Sequence, residues 1–426
     1  MLAYHNTAAI ERLPDITHRV GPQGPTILSS PTQICYPADF PPHHWRAYFL
    51  APMLSFLDFN MQHTDRTVLE CVDDFFRQIT SQDKVCIIHD TDPDGVCSAV
   101  IVAKGIERLR GKTVDLHLPI NKKKYGITNE MLEQMRVKKI TKLITCDFSP
   151  EHYEAQLHAA AKTRQVLVID HHKIYADLSK LPAVFCKPQL FSKIDPQEYC
   201  TAKLAYDAML RVVNVSDLDW MAATASIADI ATGPWTDWIK QVYKKHKIRH
   251  SGDLFTTLLG QVAEIINSAG VYNPKLSNRS FAVLFSARSY KDVLCSELVH
   301  YKKIIDKNLA KHKKLFESMK QARNDLFYYE LSSPYNIQSA LSTILGLQYP
   351  KKTILIANTN KTFVRVSARR GDHKKAVNTL LENATKNFSK SNAGGHFAAA
   401  AAGFPRKYLN TFKKRVVKVH QKRKYE

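Results

Sequence analysis

Between residue 84 and about residue 232, short apolar runs alternate with stretches of helical spacing. KVCIIHD (84–90), TVDLHLP (113–119), KLITCD (142–147) and QVLVID (165–170) read as strands. Helices are predicted over 95–110, 128–137, 151–163 and 200–213, with another ahead of the first strand at 67–80. Apolar strands separated by helices imply a mainly parallel sheet covered on both faces, a doubly wound α/β domain.

The pattern then changes. Strand signals fade across 235–325 and basic helical segments take over, the longest (297–323) reading as a helix that connects two domains. Strands return in DLFYYEL (325–331), KTILIAN (352–358) and TFVRVSAR (362–369), a smaller α/β domain that ends in SNAGGHFAAAAAGF (391–404). Residues 1–45 hold seven prolines and read as an extended arm. The expected organisation is an arm and helix (1–80), a doubly wound domain (81–235), a helical region with the connecting helix (236–324), a smaller domain (325–405) and a basic tail (406–426).

Composition narrows the class. A chain of 426 residues with 44% hydrophobic residues builds two or three real cores. It contains no apolar run long enough to predict a membrane span, and its start lacks the pattern of a signal peptide, so a cytoplasmic protein is expected. The eight cysteines form no CxxC pair and read as free thiols, which argues against a zinc site. Sixty-one Lys and Arg against 39 Asp and Glu give a net charge of +22. Such an excess favours a polyanionic partner.

The chemistry gathers at strand ends. The first strand runs into DTDPDG, so that Asp90, Asp92 and Asp94 alternate within five positions. On an extended segment they would point the same way and repel one another, a conflict that a hard divalent cation removes. A calcium loop of the EF-hand kind would need Glu at its twelfth position, where this chain has Ile101. The strand at 142–147 ends in Asp147. The strand at 165–170 ends in Asp170 and continues into His171 and His172, and Asp229 lies in a later small-residue segment. Oxygen ligands with one or two imidazoles suit manganese, with magnesium as the alternative.

The order DxDxDG, Asp, Asp-His-His, Asp resembles the DHH phosphoesterase superfamily. SNAGGHFAAAAAGF resembles the glycine–glycine–histidine motif of its DHH-associated domain, and VRVSARR (364–370) resembles the SxR strand before it. The likeness is greatest to the RecJ-like exonuclease branch. It implies that Asp90, Asp92, Asp94, Asp147, His171 and Asp229 hold two Mn²⁺ ions, with Mg²⁺ as the alternative and Asp147 bridging. Asp170 would orient the motif and His172 would act on the scissile phosphate. Arg369, Gly394, Gly395 and His396 would hold the terminal phosphate or nearby backbone. The family's usual first glycine is Ala393 here, and the run after His396 is longer than usual. The segment beyond that motif is short, so the extra oligonucleotide-binding domain of bacterial RecJ proteins is not expected.

The implied function is a 5′–3′ exonuclease on single-stranded DNA or RNA, partnered by no membrane and with a replication or repair protein as a further partner. Two alternatives stand: a small-substrate phosphoesterase acting on short RNAs, cyclic dinucleotides or a 3′-phosphonucleotide, and an inactive Cdc45-like replication scaffold.

Overall fold

The computed structural model of the protein describes residues 67–120, 126–174, 176–249, 252–359 and 362–421, so the predicted arm lies outside it. Helix α1 (Val68–Arg77) opens with a capping box in which Thr67 and Glu70 each accept the other's backbone N–H. Strand β1 (Val85–His89), helix α2 (Pro93–Arg110), strand β2 (Leu116–Pro119), helix α3 (Asn129–Val137), strand β3 (Lys142–Cys146), helix α4 (Glu154–Ala161), strand β4 (Gln165–Ile169) and strand β5 (Val184–Cys186) follow. The sheet runs β2-β1-β3-β4-β5 with every pairing parallel. Along β1, Val85 and Ile87 enter one core with α2, while Cys86 and Ile88 enter another with α3 and α4. A strand buried on both faces has no polar side, which is why β1 reads as an unbroken apolar run.

Register decides where the chemistry goes. His89 pairs with Cys146, Cys146 with Ile169, and Ile169 with Cys186. The next residue of each strand, Asp90, Asp147, Asp170 and Lys187, therefore stands in one row along the carboxyl edge. Ligands of doubly wound sheets bind at such an edge.

A helical layer completes this domain: α5 (Thr201–Leu210), α6 (Asp219–Ala228), α7 (Thr236–Lys245), α8 (Leu258–Tyr272), α9 (Ser277–Ser286) and α10 (Tyr290–Leu294). Helix α11 (Leu298–Met319) then leads to the second domain. The helix predicted to reach residue 323 stops at Met319, because Gln321–Arg323 form edge strand β6. The second domain continues with strand β7 (Leu326–Leu331), helix α12 (Gln338–Gln348), strands β8 (Thr353–Asn358) and β9 (Phe363–Arg370), helix α13 (Val377–Thr385), strands β10 (Asn392–Gly395) and β11 (Ala399–Pro405), and helix α14 (Leu409–Gln421). Its sheet runs β10-β11-β9-β8-β7-β6, with only β7 and β8 parallel.

The glycine–alanine run of the sequence is thus a hairpin, β10–β11. Within the basic tail, α14 buries Phe412 and Val416 at helical spacing in the core beneath β9 and β11. Among the described residues no helix is long and apolar enough to cross a membrane.

Candidate metal centre

The turn after β1 sets the first part of the site. A Cβ on Gly95 would lie 2.6 Å from the Asp90 carbonyl oxygen, so only glycine lets the chain close this tightly. Asp92 is the N-cap of α2, its carboxylate accepting the Gly95 N–H at 3.1 Å, with Pro93 at the first helical position. The sequence suggested three aspartates along an extended strand end. Instead only Asp90 leaves the strand, while Asp92 and Asp94 lie on the opening turn of a helix.

Asp94 consequently points elsewhere. Its two oxygens accept the Thr201 and Ala202 N–H groups, each at 2.7 Å, at the N-terminus of α5. Three groups of side chains result, within each of which the ligand atoms lie within 4.8 Å of one another: Asp90, Asp92 and Asp147; Asp94, His171 and Asp229; and Asp147, His171 and His172. Asp147 belongs to two of them. It holds a left-handed backbone (φ 67°), which aspartate tolerates better than most residues, and it accepts the Thr201 hydroxyl at 3.0 Å.

Three of these acids are displaced toward the protonated form. Burial pushes the Asp147 carboxyl well above its ordinary range, and Asp94, Asp92, Asp90 and Asp229 push it further. Burial likewise raises Asp94, against the pull of His171. Asp229, whose side chain is 36% exposed at the mouth of the site, is raised to about 7 by partial desolvation first and then the charges of Asp94 and Asp92, with His171 opposing. Among the described residues no lysine or arginine forms an ion pair with Asp94, Asp147 or Asp229; their close basic neighbours are histidines.

His171 is oriented for ligation. Its Nδ1 lies 3.0 Å from the Pro196 carbonyl, which can only accept, so the ring proton sits there. Nε2 then faces Asp229 at 3.5 Å and Asp147 at 3.7 Å, and in the neutral ring it carries the lone pair a metal would take. A backbone acceptor behind a histidine is the usual means of fixing a metal-binding tautomer.

The next strand end behaves oppositely. Asp170 accepts His172 Nδ1 at 2.7 Å, Ser149 Oγ at 2.9 Å and Lys187 Nζ at 2.5 Å. Lys187 also donates to Glu151 at 2.7 Å, and all three charged side chains are fully buried. Burial alone would raise the Asp170 carboxyl, but His172 and Lys187 outweigh it and hold the group well below its ordinary value. His172 is raised to about 9: burial opposes its charge, and the Asp170 carboxylate overcomes that. Sequence reasoning missed Ser149, Glu151, Lys187 and Thr201. The one available signal was a lysine placed directly after the apolar run VFC.

The second domain faces this edge through the β10–β11 turn. His396 stacks over His172 at 6.4 Å between ring centroids, 13° from parallel. Gly395 has φ 130°, and a Cβ there would sit 2.6 Å from the Ala399 carbonyl oxygen. Gly394 has open space where a Cβ would be. Arg369 bonds Thr343, Ser367, Ser339 and the Ala368 carbonyl, all neutral. Burial without a compensating anion brings its pKa down to about 10.

A sequence profile of the DHH family, N-terminal domain, matches residues 84–244. No curated protein matches the chain by sequence. Among solved structures the fold is similar to RecJ of Thermus thermophilus in complex with Mn²⁺ (TM-score 0.62, 16% identity), covering 83% of this chain and 54% of that one. This chain thus spans about half the length of the Thermus protein. An exonuclease RecJ bound to manganese is similar at TM-score 0.61 and 16% identity, over 84% of this chain and 95% of that one. CDC45 from Entamoeba histolytica is similar at TM-score 0.51 and 10% identity, over 82% of this chain and 97% of that one. At these identities the likeness is one of fold.

Proposed function

Since this chain belongs to the DHH superfamily through residues 84–244, we propose that it is a metal-dependent phosphodiesterase that degrades single-stranded nucleic acid as a 5′–3′ exonuclease. The observation that carries this reading is the convergence of Asp90, Asp92, Asp94, Asp147, His171 and Asp229 into overlapping ligand groups. The donor set fits hard divalent ions. It consists of carboxylates and one imidazole lone pair, and the buried members among the acids have a raised affinity for positive charge. Asp90, Asp92 and Asp147 would hold one ion, and Asp94, His171 and Asp229 a second, Mn²⁺ or Mg²⁺. When bound, such ions polarise phosphoryl oxygens and lower the pKa of an attacking water.

The chain's own groups do the rest. The Asp170 carboxylate favours the protonated form of His172 and accepts its Nδ1–H. The imidazole Nε2–H is then available to a phosphoryl or leaving oxygen. Lys187 and Ser149 hold Asp170 from behind, so the imidazole keeps one orientation. Arg369, which meets only neutral partners among the described residues, would exchange some of them for a phosphate, and His396 lies close to both Arg369 and His172. The +22 net charge favours a long polyanion over a small nucleotide.

The test is degradation of 5′- and 3′-labelled single-stranded DNA and RNA by the purified chain with Mn²⁺, with Mg²⁺ and with EDTA. The expected result is metal-dependent release of nucleotides from the 5′ end of long strands. Turnover of a dinucleotide but not of a long strand would favour the small-substrate alternative. No turnover with either metal would favour the scaffold.

A further inference from the structure

Strand β9 carries a second guanidinium on the same face as Arg369, that of Arg365. Its even positions Val364, Val366 and Ala368 are buried in the core beneath α13 and α14. Its odd positions Phe363, Arg365, Ser367 and Arg369 therefore share the other face. Arg365 is half-buried and donates to Asn336 Oδ1 at 2.5 Å. Among the described residues neither Arg365 nor Arg369 is paired with a carboxylate. Arg370, on the opposite face, is saturated by Asp325 and Asp372. A desolvated guanidinium without an anion is costly, and a fold that neutralises Arg370 so fully leaves these two without a carboxylate among the described residues, at either side of Ser367, which is buried against Ser342 of α12.

The surface beside them is low. Register sets Ala399 next to Arg369, Ala401 next to Ser367 and Gly403 next to Arg365, with Asn392 beyond Gly403. Small side chains thus floor the lane flanking the two arginines. Phe363 lies at its far end, 39% exposed, with its ring so close over Gly403 that a Cβ there would be 2.7 Å away. The Arg365 end is linked through α8 to the turn that carries Asp90 and Asp92. The Asn336 N–H donates to Val271, and a Cβ on the preceding Gly270 would lie 3.1 Å from the Thr91 carbonyl oxygen.

We infer that Arg365 holds a second phosphate of the substrate, along the strand from the phosphate held by Arg369, and that Phe363 stacks on a base beyond it. The two arginines are four residues apart on one strand, about 13 Å, which a single nucleotide does not bridge. A basic track with an aromatic platform is how single strands are held without sequence preference. The substrate class is therefore a single-stranded oligonucleotide of several nucleotides, not a one-phosphate small molecule. The inference rests on the reading of Arg369 as a phosphate site.

The test reads binding without turnover. A labelled single-stranded pentanucleotide is titrated by anisotropy in EDTA, and a nucleoside 5′-monophosphate is measured by competition. Arg365→Ala should weaken the pentanucleotide about tenfold or more and reduce the slope of log affinity against log salt by about 0.7. The ratio of pentanucleotide to mononucleotide affinity should fall by a similar factor. Arg369→Ala should weaken both ligands, and Arg365→Lys should restore most of the salt slope. Should Arg365→Ala lower folding stability, Arg365→Gln keeps a donor for Asn336 and serves instead. An unchanged pentanucleotide affinity, an equal loss for both ligands, or a wild-type chain that binds no pentanucleotide overturns the inference. Arg365-dependent binding in a chain that never cleaves would sink the hydrolase reading alone, and cleavage without Arg365 dependence would sink this one alone.

Discussion

Asp147 and Asp170 hold equivalent places. Each is the first residue after a strand, and the strands they leave are neighbours in register, Cys146 beside Ile169. Both carboxylates are buried. One is surrounded by other acids and pushed up; the other meets a lysine, a histidine and a serine hydroxyl and is pushed down. Burial works against charge at both positions, so the neighbours alone decide the sign. On one sheet edge, then, the fold builds a pocket whose charge is left for a cation to balance and, one strand away, a pocket whose charge the protein balances itself. In the proposed function the first would bind and the second would orient.

Asp147→Asn should have the largest effect and would test the unbalanced side. Asparagine keeps the shape, accepts the Thr201 hydroxyl and tolerates the left-handed backbone. Loss of the shared ligand should lower metal-dependent hydrolysis by at least about a hundredfold. Stability should move the other way. A carboxyl whose folded pKa lies above its unfolded value opposes folding at neutral pH, and this cost fades as pH falls and the group protonates. In EDTA at pH 7 the variant should be more stable than wild type. Mn²⁺ should raise the melting temperature of the wild type and barely move the variant. A variant less stable than wild type in EDTA would mean that Asp147 is a structural acid.

The contrast between these two positions was only half legible in the sequence. Strands β1, β3 and β4 are buried on both faces, so they appear as apolar runs and their terminal aspartates stand out. Strand β5 is three residues long, too short for any periodicity to register. Lys187 therefore looked like any other lysine, and with it the whole balanced pocket stayed hidden. The alternation of DTDPDG suggests an extended strand end. The stronger signal was Asp92 followed by Pro93, a cap and first helical position, which bends the chain and sends Asp94 toward α5. In the tail, nine basic residues masked the four-residue spacing of Phe412 and Val416. Arg365 alternates in plain view with apolar neighbours, but the meaning of its face needs the sheet, which shows Arg370 neutralised and Arg365 not.

Lys187→Met tests the balanced side. It leaves buried Glu151 without its cation and buried Asp170 with His172 alone, and breaking such a pair from one side costs about 3–5 kcal/mol. Chemical denaturation should show that loss, while Mn²⁺ affinity of the folded fraction should change little. Equal losses of metal affinity and stability would mean that the two pockets are one electrostatic unit.

The smallest effect, and the sharpest on orientation, is expected from Asp170→Asn. The substitution removes the charge that outweighs burial at His172 but keeps an acceptor for its Nδ1–H, and Lys187 retains Glu151. The fold should survive with turnover reduced about ten- to a hundredfold, the usual cost of losing an outer partner. The pH profile carries the distinction. With its pKa raised to about 9, His172 stays charged through neutrality, and activity that needs the proton falls only as pH climbs through that value. Without the carboxylate, burial dominates and the pKa drops, so the alkaline limb should move toward neutrality. The stabilisation that the His172–Asp170 pair gives the wild type follows the same sign. It is complete below the unfolded histidine value of about 6.5 and is lost as pH rises through about 9. A uniform drop in rate with no displacement of the alkaline limb would show that His172 works as a neutral ring and that its carboxylate partner serves only to hold it in place.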